Sequence, residues 1–144
     1  MIQHKHIILR ATVKNPITDP KHAVAWFNEM VEDIGMKKLK LDEDMIQMTF
    51  MEGHGEFLYR VPQNPICGYV ETPGNRGLTI VGIIETSHIA MHIWDEQDPA
   101  LVQLDVYTCS DLPKYKIIKK LDEMKPVNVE WEIYDREHKL SKVE

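Results

Sequence analysis

"GIIETSHIAMHIWDE", residues 82–96, is the stretch on which the fold turns. The apolar run Gly82-Ile83-Ile84 stops at Glu85-Thr86-Ser87. An alternating run, His88-Ile89-Ala90-Met91-His92-Ile93-Trp94, begins at once. Three polar residues between two strand-patterned runs predict a hairpin. The break has two readings: a plain polar turn, or a turn that presents Ser87 for chemistry.

Strand patterns continue on both sides. "LTIVGII" (78–84) leads into the break and "LVQLDVYTC" (101–109) follows it, while "HIILRATV" (6–13) and "VNVEWEIYD" (127–135) open and close the pattern. Shorter strands are expected at "MIQMTFM" (45–51), "EFLYRV" (56–61) and "ICGYVE" (66–71), set apart by the turn formers "EGHG", "PQNP" and "TPGNRG". Residues 18–35 read as a helix capped by Asp19, with Pro20 at its first position and Gly35 at its end. Val24, Phe27, Met30, Val31 and Ile34 give it an apolar stripe. A second helix is expected over 111–124, capped by Asp111, with Tyr115, Ile118 and Leu121 buried. The charged tail, 136–144, is expected to be loose.

The order strand, helix, several strands, helix, strand predicts an α+β fold: a two-layer sandwich of a mostly antiparallel sheet with two helices on one face. Val102, Leu104 and Val106 are assigned to the helix-covered face. Gln103, Asp105, Tyr107 and Cys109 then share the other face with His88, Ala90, His92 and Trp94. So aromatic a surface is expected to be an active site, a subunit contact, or both. Ser87 and His92 differ by five, so a straight strand aims them at opposite faces. A joint site in one chain requires a kink at 87–88.

Composition narrows the function classes. The chain has 144 residues, 43% hydrophobic and 28% charged, which suits one domain spanning 1–144 with an enlarged segment around 42–76. The net charge of −6 argues against a nucleic-acid partner, and "KYKIIKK" (114–120) reads as a solvated lysine face. No apolar run is long enough for a membrane span. Cys67 and Cys109 fit no zinc or redox spacing, and no signal peptide is evident, so a reduced cytoplasmic protein is expected. His4 and His6 have metal-like spacing on a strand but lack a third ligand in the sequence, so no metal is expected.

The motifs themselves resemble a known family. "SHIAMHIWDE" followed by "LDVYTC" is similar to the short prokaryotic class of S-adenosylmethionine decarboxylase. That class carries a Ser-His pair, a second His five residues after the Ser, Trp-Pro-Glu, and an Asp-Val-Phe-Thr-Cys strand. The opening "HKHIILRATV" is also similar. The resemblance implies self-cleavage at Thr86–Ser87. The Ser87 hydroxyl attacks the preceding carbonyl, the resulting ester is eliminated, and a pyruvoyl group derived from Ser87 remains at the new N-terminus. It further implies His92 as the base for the Cα proton and Thr79, with Thr86, as support for processing. The pyruvoyl ketone then forms a Schiff base with the α-amino group of S-adenosylmethionine and accepts electrons as carbon dioxide leaves. Cys109 is implied as the proton donor. Glu96 is implied as the ribose ligand, and Trp94 and Tyr107 as aromatic contacts for a sulfonium substrate. A cytoplasmic homodimer serving polyamine (spermidine) synthesis, with sites near the subunit contact, is the corresponding expectation.

The chain departs from that pattern at three points. Thr86 stands where the family has Glu, with Glu85 one place earlier, and Asp95 replaces the Pro of Trp-Pro-Glu. The segment 53–77 is longer than its counterpart. It offers His54, Tyr59 and Glu71 as further ligand contacts. Two rival functions follow from these departures: an unprocessed homologue that binds S-adenosylmethionine or degrades it to methylthioadenosine, and a related arginine or ornithine decarboxylase.

Overall fold

The computed structural model describes residues 3–39, 47–52, 55–60 and 64–144. A seven-stranded antiparallel sheet runs in the order β4 (Ile66–Val70), β5 (Gly77–Ile84), β6 (Ser87–Trp94), β7 (Ala100–Thr108), β1 (Lys5–Val13), β8 (Pro126–Asp135), β9 (Ser141–Lys142). Strands β2 (Gln47–Glu52) and β3 (Gly55–Arg60) pair as a hairpin of their own. His54 and the side chain of Tyr59 lie outside the described residues.

Strict alternation sorts each strand into an inner and an outer row. Leu78, Ile80 and Ile84 of β5, Ile89, Met91 and Ile93 of β6, and Val102, Leu104 and Val106 of β7 are buried. They pack in one core with Ile7, Leu9 and Ala11 of β1. Helix α1 (Pro20–Asp33) lays Ala23, Trp26, Phe27, Met30 and Val31 on that row. The Asp19 carboxylate caps it by accepting from the Lys21 N–H at 3.0 Å. Gly35 follows the helix at φ 74°, a conformation that favours glycine. Gly82 leaves the gap that Phe27 fills: a Cβ there would stand 2.0 Å from Phe27 Cζ. Trp26 was absent from the expected stripe. It is fully buried and donates its indole N–H to the Lys120 carbonyl at 3.2 Å, joining α1 to α2.

Four expectations are corrected at the C-terminal end. Helix α2 covers only Lys114–Lys120, continued by a 3₁₀ turn, Leu121–Met124. Pro113 occupies the N-cap and no side chain caps the helix, so Asp111 lies outside it. Tyr115 points into solvent (76% exposed) and Ile117, two residues on and nearly opposite on the helix, takes the buried place, with Leu121 and Met124 below it. Lys120 is not part of a solvated face either. It is buried and ion-paired to Glu29 and Glu123. Finally, the tail is tied down: β9 pairs with β8, and the Ile133 N–H donates to the Glu144 carbonyl at 2.8 Å.

Candidate active site

The hairpin of the opening stretch is real, and its strain falls one residue earlier than the expected kink. β5 and β6 pair from Ile84↔Ser87 to Gly77↔Trp94 without a break, so no kink exists at 87–88. The irregular residue is Thr86, at φ 56°. A β-branched residue in the left-handed region is a genuine outlier, held there by its surroundings. Those surroundings are specific. The Glu85 N–H donates to the Lys37 carbonyl at 3.1 Å, and the Leu39 N–H to the Ile83 carbonyl at 3.1 Å. Asn64 is buried and bonds the same region three times. Its amide donates to the carbonyls of Leu39 (2.8 Å) and Ile83 (2.7 Å), and its carbonyl accepts from the Ile83 N–H (2.9 Å). No sequence motif singles out Asn64.

Ser87 starts β6 on the inner row and is 6% exposed. Its Oγ accepts from the Cys109 N–H at 3.1 Å. Across the turn, Thr86 Oγ1 lies 2.7 Å from Cys109 Sγ and 2.7 Å from the Glu85 carbonyl. One hydroxyl proton cannot serve both acceptors. When it points to Glu85 the thiol donates to Thr86; when it points to sulfur it stabilises a thiolate. Bonds from Thr86 and then Ser87 hold the Cys109 thiol below its ordinary pKa, against an opposing push from burial. Thr86, Ser87 and Cys109, three of the expected residues, therefore form one cluster.

A second cluster forms further along the same strands. Thr79 and His92 are cross-strand partners, and Thr79 Oγ1 lies 3.0 Å from His92 Nδ1. The rings of His92 and Trp94 are 5.7 Å apart. The next residues are clamped by β4 and the segment after it. The buried Asp95 carboxylate accepts from Tyr69 Oη at 2.6 Å and from Arg76 Nε at 2.9 Å, and Arg76 Nη2 donates to the Asp95 carbonyl at 2.8 Å. Glu96 Oε1 accepts from the Gly74 N–H at 2.7 Å. Burial raises the Asp95 pKa, but the Tyr69 and Arg76 bonds outweigh it and hold the group below the usual carboxylate range. This clamp was not foreseen; the one signal was Asp95 where proline is usual.

The two clusters do not meet within one chain. His92 is on the outer row and Ser87 on the inner. Five residues of strand separate them by about 17 Å at the usual rise. A hollow of about 80 Å³ touches Thr79, His92 and Trp94, well under the roughly 300 Å³ minimum of ligand pockets. Larger hollows of about 460 and 440 Å³ lie around α2, away from both clusters.

Tyr107 sits on the outer row between the clusters and a third group. Its hydroxyl lies 2.8 Å from His4 Nδ1, and the Arg136 guanidinium stacks 4.5 Å from its ring centre. His6, hydrogen-bonded to Asp105, and His88 flank it. Burial, more than any charge, pushes the His88 pKa down.

A helix-backed antiparallel sheet, with a strained hairpin that sets a sequestered serine beside a thiol, defines a small α+β protein. The comparisons with known proteins agree with that class. The sequence model of the S-adenosylmethionine decarboxylase family matches residues 60–137, and the chain belongs to this family. The S-adenosylmethionine decarboxylase proenzyme of Pyrobaculum islandicum is 42% identical over 64 residues, 43% of this chain and 50% of that protein. The Archaeoglobus fulgidus proenzyme is 36% identical over 62 residues, covering 42% and 54% respectively. The chain thus matches about half the length of these curated relatives. The crystal structure of the adenosylmethionine decarboxylase from Aquifex aeolicus superposes with a TM-score of 0.61 over 94% of this chain and 91% of that one, at 18% identity, which is a likeness of fold.

Proposed function

We propose that the chain is a proenzyme that cuts itself between Thr86 and Ser87 and then decarboxylates S-adenosylmethionine, in the cytoplasm, for polyamine synthesis. The observation that carries this reading is the strained Thr86 beside a serine whose Oγ is held by the Cys109 amide. A hydroxyl next to the carbonyl it must attack needs no diffusion, only release from the turn. Ser87 opens a strand in a buried setting with a thiol alongside, so a pyruvoyl group at residue 87 would be sheltered and within reach of a proton donor. Bound there, such a group supplies a carbonyl that withdraws electrons from the substrate's α-carbon. Cys109 Sγ holds the proton to be returned to that carbon, and the Thr86 hydroxyl sets its acidity.

The remaining roles come from a second copy of the chain. Thr79 fixes the His92 ring through Nδ1, which leaves Nε2 directed outward as the base. The Tyr69–Arg76–Asp95 clamp and the Gly74 amide hold Trp94 and Glu96 ready for a sulfonium and a ribose diol. Packing two outer sheet faces about a two-fold axis brings the Ser87 end of one chain to the His92 end of its partner. It also covers the aromatic row and enlarges the 80 Å³ hollow.

The test measures carbon dioxide released from carboxyl-labelled S-adenosylmethionine, with arginine and ornithine as competing candidates. Ser87→Ala and His92→Ala are each expected to be inactive, and their co-expressed mixture is expected to recover activity in mixed dimers. Release from another amino acid alone contradicts the substrate assignment. A mixture as inactive as its parents contradicts the shared site.

A further inference from the structure

The outer face carries a convergence that the proposed reaction does not use. His6 of β1, His88 of β6 and Asp105 of β7 come from three adjacent strands. In register, His6 and His88 both oppose Tyr107, and Asp105 lies two residues back on the same face of β7. Strands β1 and β6 stand two spacings apart, so their backbones are about 10 Å from each other. Yet the two imidazole rings lean together to 6.1 Å between centres, edge to face. One donor atom from each of the three residues lies within 4.8 Å of the others. The His6–Asp105 hydrogen bond accounts for one pair. It gives no reason for His88 to join it, and among the described residues the His88 ring has no hydrogen-bond partner.

We propose that His6, His88 and Asp105 form a site for a divalent transition-metal ion of the Zn²⁺ type. Two imidazole nitrogens and one carboxylate oxygen are a donor set that borderline cations prefer over Mg²⁺ or Ca²⁺. Three ligands from neighbouring strands of one sheet are prearranged on the outer face, and in the proposed dimer the remaining position faces the subunit contact. Tyr107 is not a ligand, because its hydroxyl is engaged by His4. Coordination by His6 Nε2 requires its ring proton on Nδ1. That nitrogen now faces Arg136 Nη1 at 3.3 Å. Arg136 is exposed, and among the described residues its side chain is held only by this contact and its stacking on Tyr107, so the guanidinium is the resident competitor of the metal. Binding would tie β1, β6 and β7 together at the end that carries Ser87 and Cys109. The inference stands on this cluster alone and not on the decarboxylase reading.

The experiment uses the chelator-stripped full chain, as purified and as Ser87→Ala to keep the peptide whole. Co²⁺ alone is titrated and followed by its visible absorption, then displaced by Zn²⁺. One Co²⁺ per chain with the strong bands of a low-coordinate site is expected. His88→Ala and Asp105→Asn should each weaken binding by about tenfold or more, with His22→Ala and His138→Ala unchanged. Arg136→Ala should tighten binding several-fold, which a purely hydrogen-bonded cluster does not predict. Ring-nitrogen NMR of the unmutated chain covers the case of a misfolded variant: Zn²⁺ must shift His6 and His88 and leave His22 in place. Binding indifferent to His88→Ala, or shifts spread over all histidines, overturns the site.

Discussion

Replacing Thr86 tests whether backbone strain drives cleavage. A side chain in the left-handed region costs roughly 1–2 kcal/mol that glycine does not incur. Thr86→Ala and Thr86→Gly both delete the hydroxyl that touches Cys109, and only alanine retains the Cβ that is strained at φ 56°. Their difference therefore isolates the strain. The rate of cleavage compares the folded precursor with its transition state, so the full 1–2 kcal/mol enters. The glycine chain is expected to cleave about 5–30 times more slowly than the alanine chain. Equilibrium stability, measured in a Ser87→Ala background, should show a smaller gap. Glycine also loosens the unfolded chain, which offsets about 0.4–1 kcal/mol. Pulse-labelled translation followed on a denaturing gel gives the rates, and thermal or urea unfolding gives the stabilities. Equal cleavage rates, or faster cleavage by the glycine chain, would refute the reasoning.

Three further outcomes follow from the packing and the ionisable groups. Gly82→Ala forces a methyl into the buried Phe27 ring and should cost about 1–3 kcal/mol in thermal unfolding; Phe27→Leu in the same chain should restore part of it. Asp95→Asn should cost about 1–2 kcal/mol at neutral pH, the lower figure reflecting the half-exposed Arg76. Because the folded-state pKa of Asp95 is depressed, its contribution is complete above the unfolded value near 3.9 and is lost as the pH falls below it. The gap between the two chains must therefore shrink on acidification, and a gap that widens contradicts the clamp. In pH-dependent alkylation, Cys109 should react at lower pH than Cys67, whose thiol is pushed up by burial and then by Asp19. Thr86→Val should raise the Cys109 midpoint.

Much of this architecture was readable because period and caps agree. The alternation of residues 88–94 and 101–109 assigned inner and outer rows correctly, and Asp19-Pro20 placed the start of α1. Reading failed where the decisive partner is distant in sequence. Tyr115 and Ile117 both satisfy a helical stripe, and contact with the core selects Ile117. Nothing local marks Asn64 as the residue that fastens Ile83, nor Tyr69 and Arg76 as partners of Asp95. The expected kink at 87–88 came from demanding one site in one chain. The β5–β6 ladder is unbroken, and the proposed dimer would meet that demand with a partner chain instead. His6 was paired in sequence with His4, yet it converges with His88 and Asp105 instead, because strand order brings β6, β7 and β1 side by side.

The central claim is cleavage at one bond, and an intact-mass spectrum of the purified chain tests it most directly. The proposed mechanism predicts fragments of 86 and 58 residues, corresponding to Met1–Thr86 and a C-terminal piece beginning at position 87. The second piece should resist Edman degradation and carry a carbonyl that hydroxylamine modifies. Ser87→Ala should give one undivided mass. A single full-length mass for the unmutated chain after prolonged incubation, or a 58-residue fragment with a free serine amino group, would contradict the account.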